Sequence, residues 1–348
     1  MTWRARLARV ATRIERGVDR LRNNGRPGDP PVIDPYVGYA TSDTIVLRGR
    51  VLTALRRGAP RPEQGRLTNF RQMVRLFLTN EVSDVVLAAR GVEAHSDEEG
   101  YFVLRVPRKP GEEGWIEIPV REIGHVQSPG AEPVPWEGDQ SEERRLSAYL
   151  PGDNAKRGII SDIDDTMLET GAWRASRMLW TSLTGNVHTR RIFDDAVRLM
   201  DLLSREGRDP VFYVSSSPWN LHDFLYRLFE RHGLVLGPFF LRDLGVAEDK
   251  FITANHGEHK ARSIDTILSA NPSLPFVLVG DTGQHDAEIY AAAARRHPGR
   301  VKRVILRAPG RGADAADMVH IRTLRSKGIP VHVGPDFSEA LEALGAEA

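Results

Sequence analysis

From residue 155 onward, short apolar runs alternate with stretches of helical periodicity, and this alternation constrains the fold more than any other feature of the chain. "RGIIS", "PVFYVS", "PFFLR", "PFVLVG", "VKRVILR" and "IPVHVG" read as strands, each a compact apolar run. Between them, "RIFDDAVRLMDLLSREG", "PWNLHDFLYRLFERHG", "KARSIDTILSA" and "DAEIYAAAARRH" carry apolar residues at spacings of three and four, and a last helix follows "IPVHVG". Such alternation predicts a doubly wound parallel sheet with helices on both faces over residues 155–345. In open sheets of this kind ligands bind beyond the carboxyl ends of the strands, so the residues that close each run carry the chemistry.

The first half follows a different grammar. Residues 1–26 form a predicted amphipathic helix, with Trp3, Leu7, Val10, Ile14, Val18 and Leu21 on one stripe. Eight arginines against Glu15 and Asp19 give this arm a charge of +6, which suits either an anionic membrane surface or a solvated helix packed on its own protein. Gly17 weakens the helix. After a Pro- and Gly-rich break, residues 36–125 read as a small β-sandwich-like domain. Its expected strands lie at 44–55, 84–94, 101–106 and 115–120, with a hairpin turn at Asp97 to Gly100 and a helical insertion around Leu67 to Phe77. Residues 126–154 read as a linker. Two domains agree with the 348-residue length.

Composition narrows the function classes. The chain has no cysteine, which excludes disulfides, thiolate metal sites and thiol catalysis. A net charge of +1 gives no overall case for nucleic acid, and none is expected as a partner. No apolar run approaches the roughly 18 residues of a spanning helix, and the first 24 residues lack a secretory apolar core. A cytoplasmic location, with peripheral membrane contact through the basic arm, is the expectation.

The strand ends hold four clues. In "GIISDIDDTM", Asp162 and Asp164 stand two apart and project the same way if extended. Two such carboxylates oppose each other's ionisation unless a divalent cation or a shared proton relieves them, and all-oxygen ligands favour Mg²⁺. A polar strand end or a helix N-cap would also use Asp. In "PVFYVSSSPWNL" the strand ends at Ser215, placed to donate to a phosphoryl oxygen, while Ser217 and Pro218 read as the N-cap and first position of a helix. Ser216 is left open by the pattern. Lys260 lies near the start of a helix, where it opposes the macrodipole and so suggests an anionic partner. In "PFVLVGDTGQHDAEIY", Asp281 ends a strand and Asp286 opens the next helix, as ligand or simply as N-cap. Acid, hydroxyl, cation and acid in this order suit phosphoryl transfer. His256, His259 and His285 lack a zinc-binding pattern.

These four stretches, "DIDDT", the serine of "FYVS", the lysine of "HKARS" and "GDTGQHD", resemble the motifs of the haloacid dehalogenase superfamily of phosphotransferases. Within it, "SDIDDT", "SSSPWNL", "GPFFLRD" and "GDTGQHDAEIY" are similar to the actin-patch-protein type of phosphatidate phosphatase, a relative of the lipins, over residues 155 to about 340. The resemblance implies Asp162 as nucleophile forming an aspartyl-phosphate, Asp164 as general acid and base, and Lys260 and Ser215 as stabilisers of the transferring phosphoryl group. Ser216 and Thr166 join the phosphate-binding set, with Thr166 bracing the loop. It also implies Mg²⁺ held by Asp162, the Asp164 backbone carbonyl and Asp281, with Asp286 behind them or on Lys260. The substrate so implied is phosphatidate, hydrolysed to diacylglycerol. Two other readings stay open: a phosphatidate-binding sensor without turnover, and a phosphatase for soluble phosphomonoesters or phosphoproteins. Short connections imply no large cap over the site, and Trp173, Met178, Leu179, Trp180 and Trp219 lie near it as core or lipid-facing residues.

Overall fold

A computed structural model of the chain describes residues 31–53, 81–126, 131–134, 143–168, 191–242, 256–310 and 312–347. The basic arm, the helical insertion and the segment with Trp173, Met178, Leu179 and Trp180 lie outside these residues. Among the described residues no helix is long and apolar enough to cross a membrane.

The C-terminal half is built on six parallel strands: β8 (Gly158–Asp162), β9 (Val211–Pro218), β10 (Phe239–Arg242), β11 (Phe276–Asp281), β12 (Val301–Arg307) and β13 (Val331–Gly334). They are ordered β10-β9-β8-β11-β12-β13, so the direction of winding reverses between β8 and β11. Neighbouring side chains along each strand serve opposite faces, as the pleat requires. Ile159, Val211, Tyr213, Val277, Val279 and Ile305 pack against α1 (Asp194–Ser204), α2 (His222–Arg231) and α6 (Ser338–Glu347). Ile160, Phe212, Val214, Phe276, Leu278, Val304 and Leu306 pack against α3 (His256–Ala270), α4 (Asp286–Arg296) and α5 (Ala315–Ser326). Helices thus cover both faces of a parallel sheet, as the alternation predicts. The crossover helix α5, with its Asp314 capping box, had no counterpart in the sequence reading.

The N-terminal half departs from the expected sandwich. Seven strands form one continuous sheet in the order β4-β3-β6-β7-β1-β2-β5. They are β1 (Val32–Ala40), β2 (Thr44–Leu52), β3 (Val85–Ala89), β4 (Val92–His95), β5 (Tyr101–Pro107), β6 (Gly114–His125) and β7 (Arg144–Leu150). The edge strands β4 and β5 lie close together, so the sheet nearly closes on itself around Ile45, Leu47, Leu87, Leu104, Val120 and Leu146. The stretch 84–94 is a hairpin rather than one strand, since Arg90 and Gly91 both take positive φ (50° and 78°) and turn β3 back as β4. The Asp97 to Gly100 turn exists but joins β4 to β5 without pairing them. Inside the stretch read as a linker, β7 pairs with β6 and runs parallel to β1.

The two halves meet along an aromatic seam. Tyr36 stacks on Trp219 with centroids 4.7 Å apart, and the Val37 amide donates to His222 Nε2 at 3.2 Å. The Arg48 guanidinium donates to the carbonyls of Val37 (3.1 Å) and Phe239 (2.9 Å) and lies over the rings of Trp219 and Phe240.

One buried cation ties the loop after β8 to the frame. Arg307, at the end of β12, sits between the rings of Phe193 and Phe337, at 4.0 and 4.1 Å. It donates to Asp195 at 2.8 Å and to the Thr166 carbonyl at 3.3 Å. Replacing Arg307 by Met should cost about 2 kcal/mol, because it removes the ion pair to Asp195, which keeps only the Phe337 amide, and two ring contacts. Urea unfolding of the variant and the native chain checks this.

Candidate active site

The carboxyl ends of β8, β9 and β11 and the starts of α3 and α4 converge at the point where the sheet changes winding direction. Asp162 is the last residue of β8 and is buried. Lys260 lies in the second turn of α3 and is 3% exposed, so the macrodipole of the first turn does not decide its fate. Its Nζ stands 2.7 Å from Asp162 Oδ1 and 2.7 Å from Asp286 Oδ1. Burial opposes the lysine charge, but Asp162, Asp286 and Asp281 outweigh it and hold the ammonium well above its ordinary range.

Asp286 is the first residue of α4 but does not cap it. Its carboxylate turns back, Oδ1 to Lys260 and Oδ2 accepting from the Asp281 amide at 3.1 Å. Gly280 makes room for this, since a Cβ there would collide with the Asp286 carboxylate and stand 2.7 Å from the Tyr290 hydroxyl. Thr166 Oγ1 donates to Asp162 Oδ2 at 3.0 Å, so the loop residue expected as a brace grips the nucleophile candidate itself. Asp165, at φ 55°, forms the bend between Asp164 and Thr166.

Asp164 faces the other side. Ser215 Oγ donates to its Oδ2 at 2.8 Å and Ser217 Oγ to the same oxygen at 3.2 Å. Ser215 was expected to donate to a phosphoryl oxygen; in this structure its proton is spent on Asp164. Ser217 was expected to cap a helix, and that expectation is corrected. β9 runs on through Pro218, which pairs with Arg242, a 3-10 turn follows at Trp219–Leu221, and α2 begins only at His222 with no side-chain cap. The Ser216 hydroxyl is buried with no hydrogen-bond partner among the described residues. Gln284, which the sequence reading passed over inside "GDTGQHD", donates from Nε2 to the Asp164 carbonyl at 3.0 Å. His256 and His259 belong to α3 rather than to a loop, and His285 precedes α4 at φ 64°.

The acidic set suits a hard dication. Asp162, Asp281 and Asp286 offer oxygens all within 4.8 Å of one another, and Asp281 Oδ2 is buried without a partner among the described residues. Burial, with Asp286 and Asp164 adding to it against Lys260, pushes Asp162 up to about 8. Burial with Asp286 and Asp162 pushes Asp281 up to about 9. With no cation these two acids hold protons near neutrality; an oxygen-seeking dication would replace them. Both Asp286 oxygens are already engaged and Asp162 is held by Lys260 and Thr166, so Asp281 Oδ2 is the oxygen of the trio most open to such an ion. Asp164 is not in this trio through its side chain.

A parallel sheet reverses winding at a buried aspartate–lysine pair, with hydroxyls and further acids at neighbouring strand ends, an arrangement suited to chemistry on an anionic group. Residues 157–308 match the family described as "Phosphatidate phosphatase APP1, catalytic domain". Among curated relatives, the Saccharomyces cerevisiae phosphatidate phosphatase APP1 is 29% identical over 150 residues, 43% of this chain and 25% of that protein. An uncharacterized protein of Schizosaccharomyces pombe is 30% identical over 176 residues, 48% of this chain and 28% of that protein. The chain thus spans about a quarter of the length of the relatives it matches. A solved structure of Amycolatopsis cytochrome P450 reductase GcoB aligns at 13% identity over 90% of this chain and 72% of that one; its TM-score of 0.16 carries no argument about the fold.

The raised acids give a prediction with a definite sign. A carboxyl whose folded pKa lies above its unfolded value stabilises the metal-free chain fully below about pH 4, and that stability is lost as pH rises through about 8 to 9. Mg²⁺ must displace the same protons, so its affinity should climb steadily from about pH 6 to 9, with about one to two protons released per ion near pH 7. Calorimetry in buffers of different ionisation heat counts them. Affinity independent of pH would contradict this account of the trio.

Proposed function

We propose that the chain is a Mg²⁺-dependent phosphatase of the haloacid dehalogenase type that removes the phosphate of phosphatidate to leave diacylglycerol. The observation that carries the reading is the buried Lys260 shared between Asp162 and Asp286 at the end of β8, with Asp164 held apart by two hydroxyls. The match of residues 157–308 to the APP1 catalytic domain supports the substrate class.

In this mechanism an Asp162 oxygen attacks phosphorus, forming an aspartyl-phosphate as the bond to the glycerol oxygen breaks. That oxygen leaves with a proton from Asp164. Since Ser215 and Ser217 both donate to Oδ2, Oδ1 is the oxygen that carries this proton. Asp164 then takes a proton from water as the water attacks the same phosphorus, releasing inorganic phosphate and restoring Asp162. Lys260 keeps Asp162 oriented and offsets charge on the phosphoryl oxygens. The Ser216 hydroxyl, buried without a partner among the described residues, is the donor still available to the phosphoryl group. Asp162 and Asp281, with the Asp164 carbonyl, are the groups that would hold Mg²⁺, and when bound the ion would neutralise charge on the phosphate and lower the pKa of Asp162. The Asp164 carbonyl, already accepting from Gln284, retains a second lone pair. A cytoplasmic protein working at a membrane surface, reached through its basic arm, is the setting that suits this substrate.

Phosphate release from phosphatidate in mixed micelles should require Mg²⁺, stop on chelation, and fall by about 10³-fold or more in Asp162→Asn. Soluble phosphomonoesters should be poorer substrates under the same conditions. Turnover of soluble esters alone would reassign the substrate. Vesicle binding by native and variant protein with no turnover of either would make the domain a sensor.

A further inference from the structure

The seam between the halves encloses a groove of about 460 Å³ that the proposed chemistry does not use. Its walls come from both sides: Arg48, Tyr101 and Arg105 from the β-sheet domain, and Trp219, His259 and Arg262 from the catalytic domain. A volume of this size falls within the ordinary range of small-molecule sites.

The charge on these walls is one-sided. Arg48, Arg105 and Arg262 all line the groove, and none of the three pairs with a carboxylate among the described residues. Asp97 is the single acid in the lining, and its Oδ1 already accepts from the amides of Glu99 (3.0 Å) and Tyr101 (2.8 Å). Arg48 spends its Nη2 on two carbonyls and stacks on three rings, while its Nε is buried without a partner among the described residues. Burial pushes its pKa down to about 10, so the guanidinium stays charged in surroundings that screen it poorly. An arginine enclosed this way calls for an anion nearby. Arg105 and Arg262 reach the groove from opposite domains with exposed side chains, so a bridging anion would relieve their mutual repulsion.

We propose that this groove is a second anion site, which binds a phosphate group between Arg105 and Arg262 with Arg48 behind it. Tyr101 would receive the organic part of a phosphate ester, since Trp219 is already covered by Tyr36 and Arg48. The site is separate from the catalytic centre, and the proposal stands whether or not that centre is a phosphatase. The chemistry is shared by the head group of an anionic phospholipid and by a free phosphate, so the test separates these sources.

The full chain is titrated with inorganic phosphate in chelator, and its thermal midpoint is followed for native protein, Arg105→Gln/Arg262→Gln and Asp162→Asn. Near ten times the dissociation constant, native protein and Asp162→Asn should each gain about 3 °C, while the double variant gains nothing. A gain that persists in the double variant, or that vanishes in Asp162→Asn, places the anion elsewhere and overturns the proposal. Because both arginines are exposed, the double variant should melt at the native midpoint without phosphate. If it does not, Arg262→Gln alone is used, with the same two outcomes. In a second arm, vesicles of phosphatidylcholine with phosphatidylglycerol are sedimented with each protein. A fivefold or larger loss of retention in the variant, together with lost phosphate stabilisation, supports a lipid head group, whereas unchanged retention with lost stabilisation supports a free phosphate.

Discussion

The ion pair that Lys260 makes with Asp162 and Asp286 is the contact on which the candidate site depends, and it is costly to fold around. Three buried carboxylates share one ammonium, and removing such charges from water carries a penalty that their attraction offsets only with good geometry. Here the geometry is supplied from several directions: Thr166 on one oxygen of Asp162, the Asp281 amide on one oxygen of Asp286, and Lys260 between them at 2.7 Å. Two negative charges too many still remain, and they appear as the raised pKa of Asp162 and Asp281. A site that holds protons in this way could exchange them for a dication. Its stability comes from the apolar layers on the two sheet faces.

Topology explains why these groups meet. Strands β8 and β11 are neighbours although their last residues lie 119 positions apart in the chain, because the sheet winds outward in both directions from that pair. In open sheets of this kind such a reversal leaves a crevice beyond the carboxyl ends of the strands. Both α3 and α4 lie on the same face, so Lys260 and Asp286 approach Asp162 and Asp281 from one side. β9 lies on the opposite flank of β8, and its end brings Ser215 and Ser217 to Asp164 instead. Two aspartates two residues apart are thereby given separate environments, one among charges and the other among hydroxyls. Such a separation is what the proposed division of roles, nucleophile and proton carrier, would need.

The parallel sheet was legible because its central strands β8 and β11 are fully buried and the others are mostly so, and they read as compact apolar runs. Asp162, Asp164, Lys260, Asp281 and Asp286 were legible because they end those runs or begin the helices that follow. Ser217 was misread because Ser-Pro is a strong local start signal, yet Pro218 stays extended at φ −73°, ψ 154° and completes the strand against Arg242. Gln284 carries no signal of its own; only the fold brings it to the Asp164 carbonyl. In the N-terminal half, β7 is "RRLSAYL", too polar at its start to stand out, and β1 contains Pro35. Its closure depends on distant pairings, β1 with β7 and β2 with β5, that no local pattern encodes. The turn at Arg90 and Gly91 lacks the Asn-Gly or Asp-Gly signature and so was absorbed into one strand.

Trp219 shows how the second domain bears on the site. Four residues beyond Ser215, its ring stacks on Tyr36 and lies beneath the Arg48 guanidinium, so it is committed to the seam rather than to a lipid. The chain between Ser215 and Trp219 is short and strand-like, which makes the β-sheet domain part of the support for the hydroxyls on Asp164. Across the same seam, His222 accepts from the Val37 amide, tying the start of α2 to β1. The N-terminal sheet therefore acts as a buttress for one wall of the crevice, while Arg307 braces the loop that carries Thr166 from the other side. A crevice held from both flanks keeps Asp164 and Asp162 at fixed separation, which is what an in-line displacement at phosphorus requires.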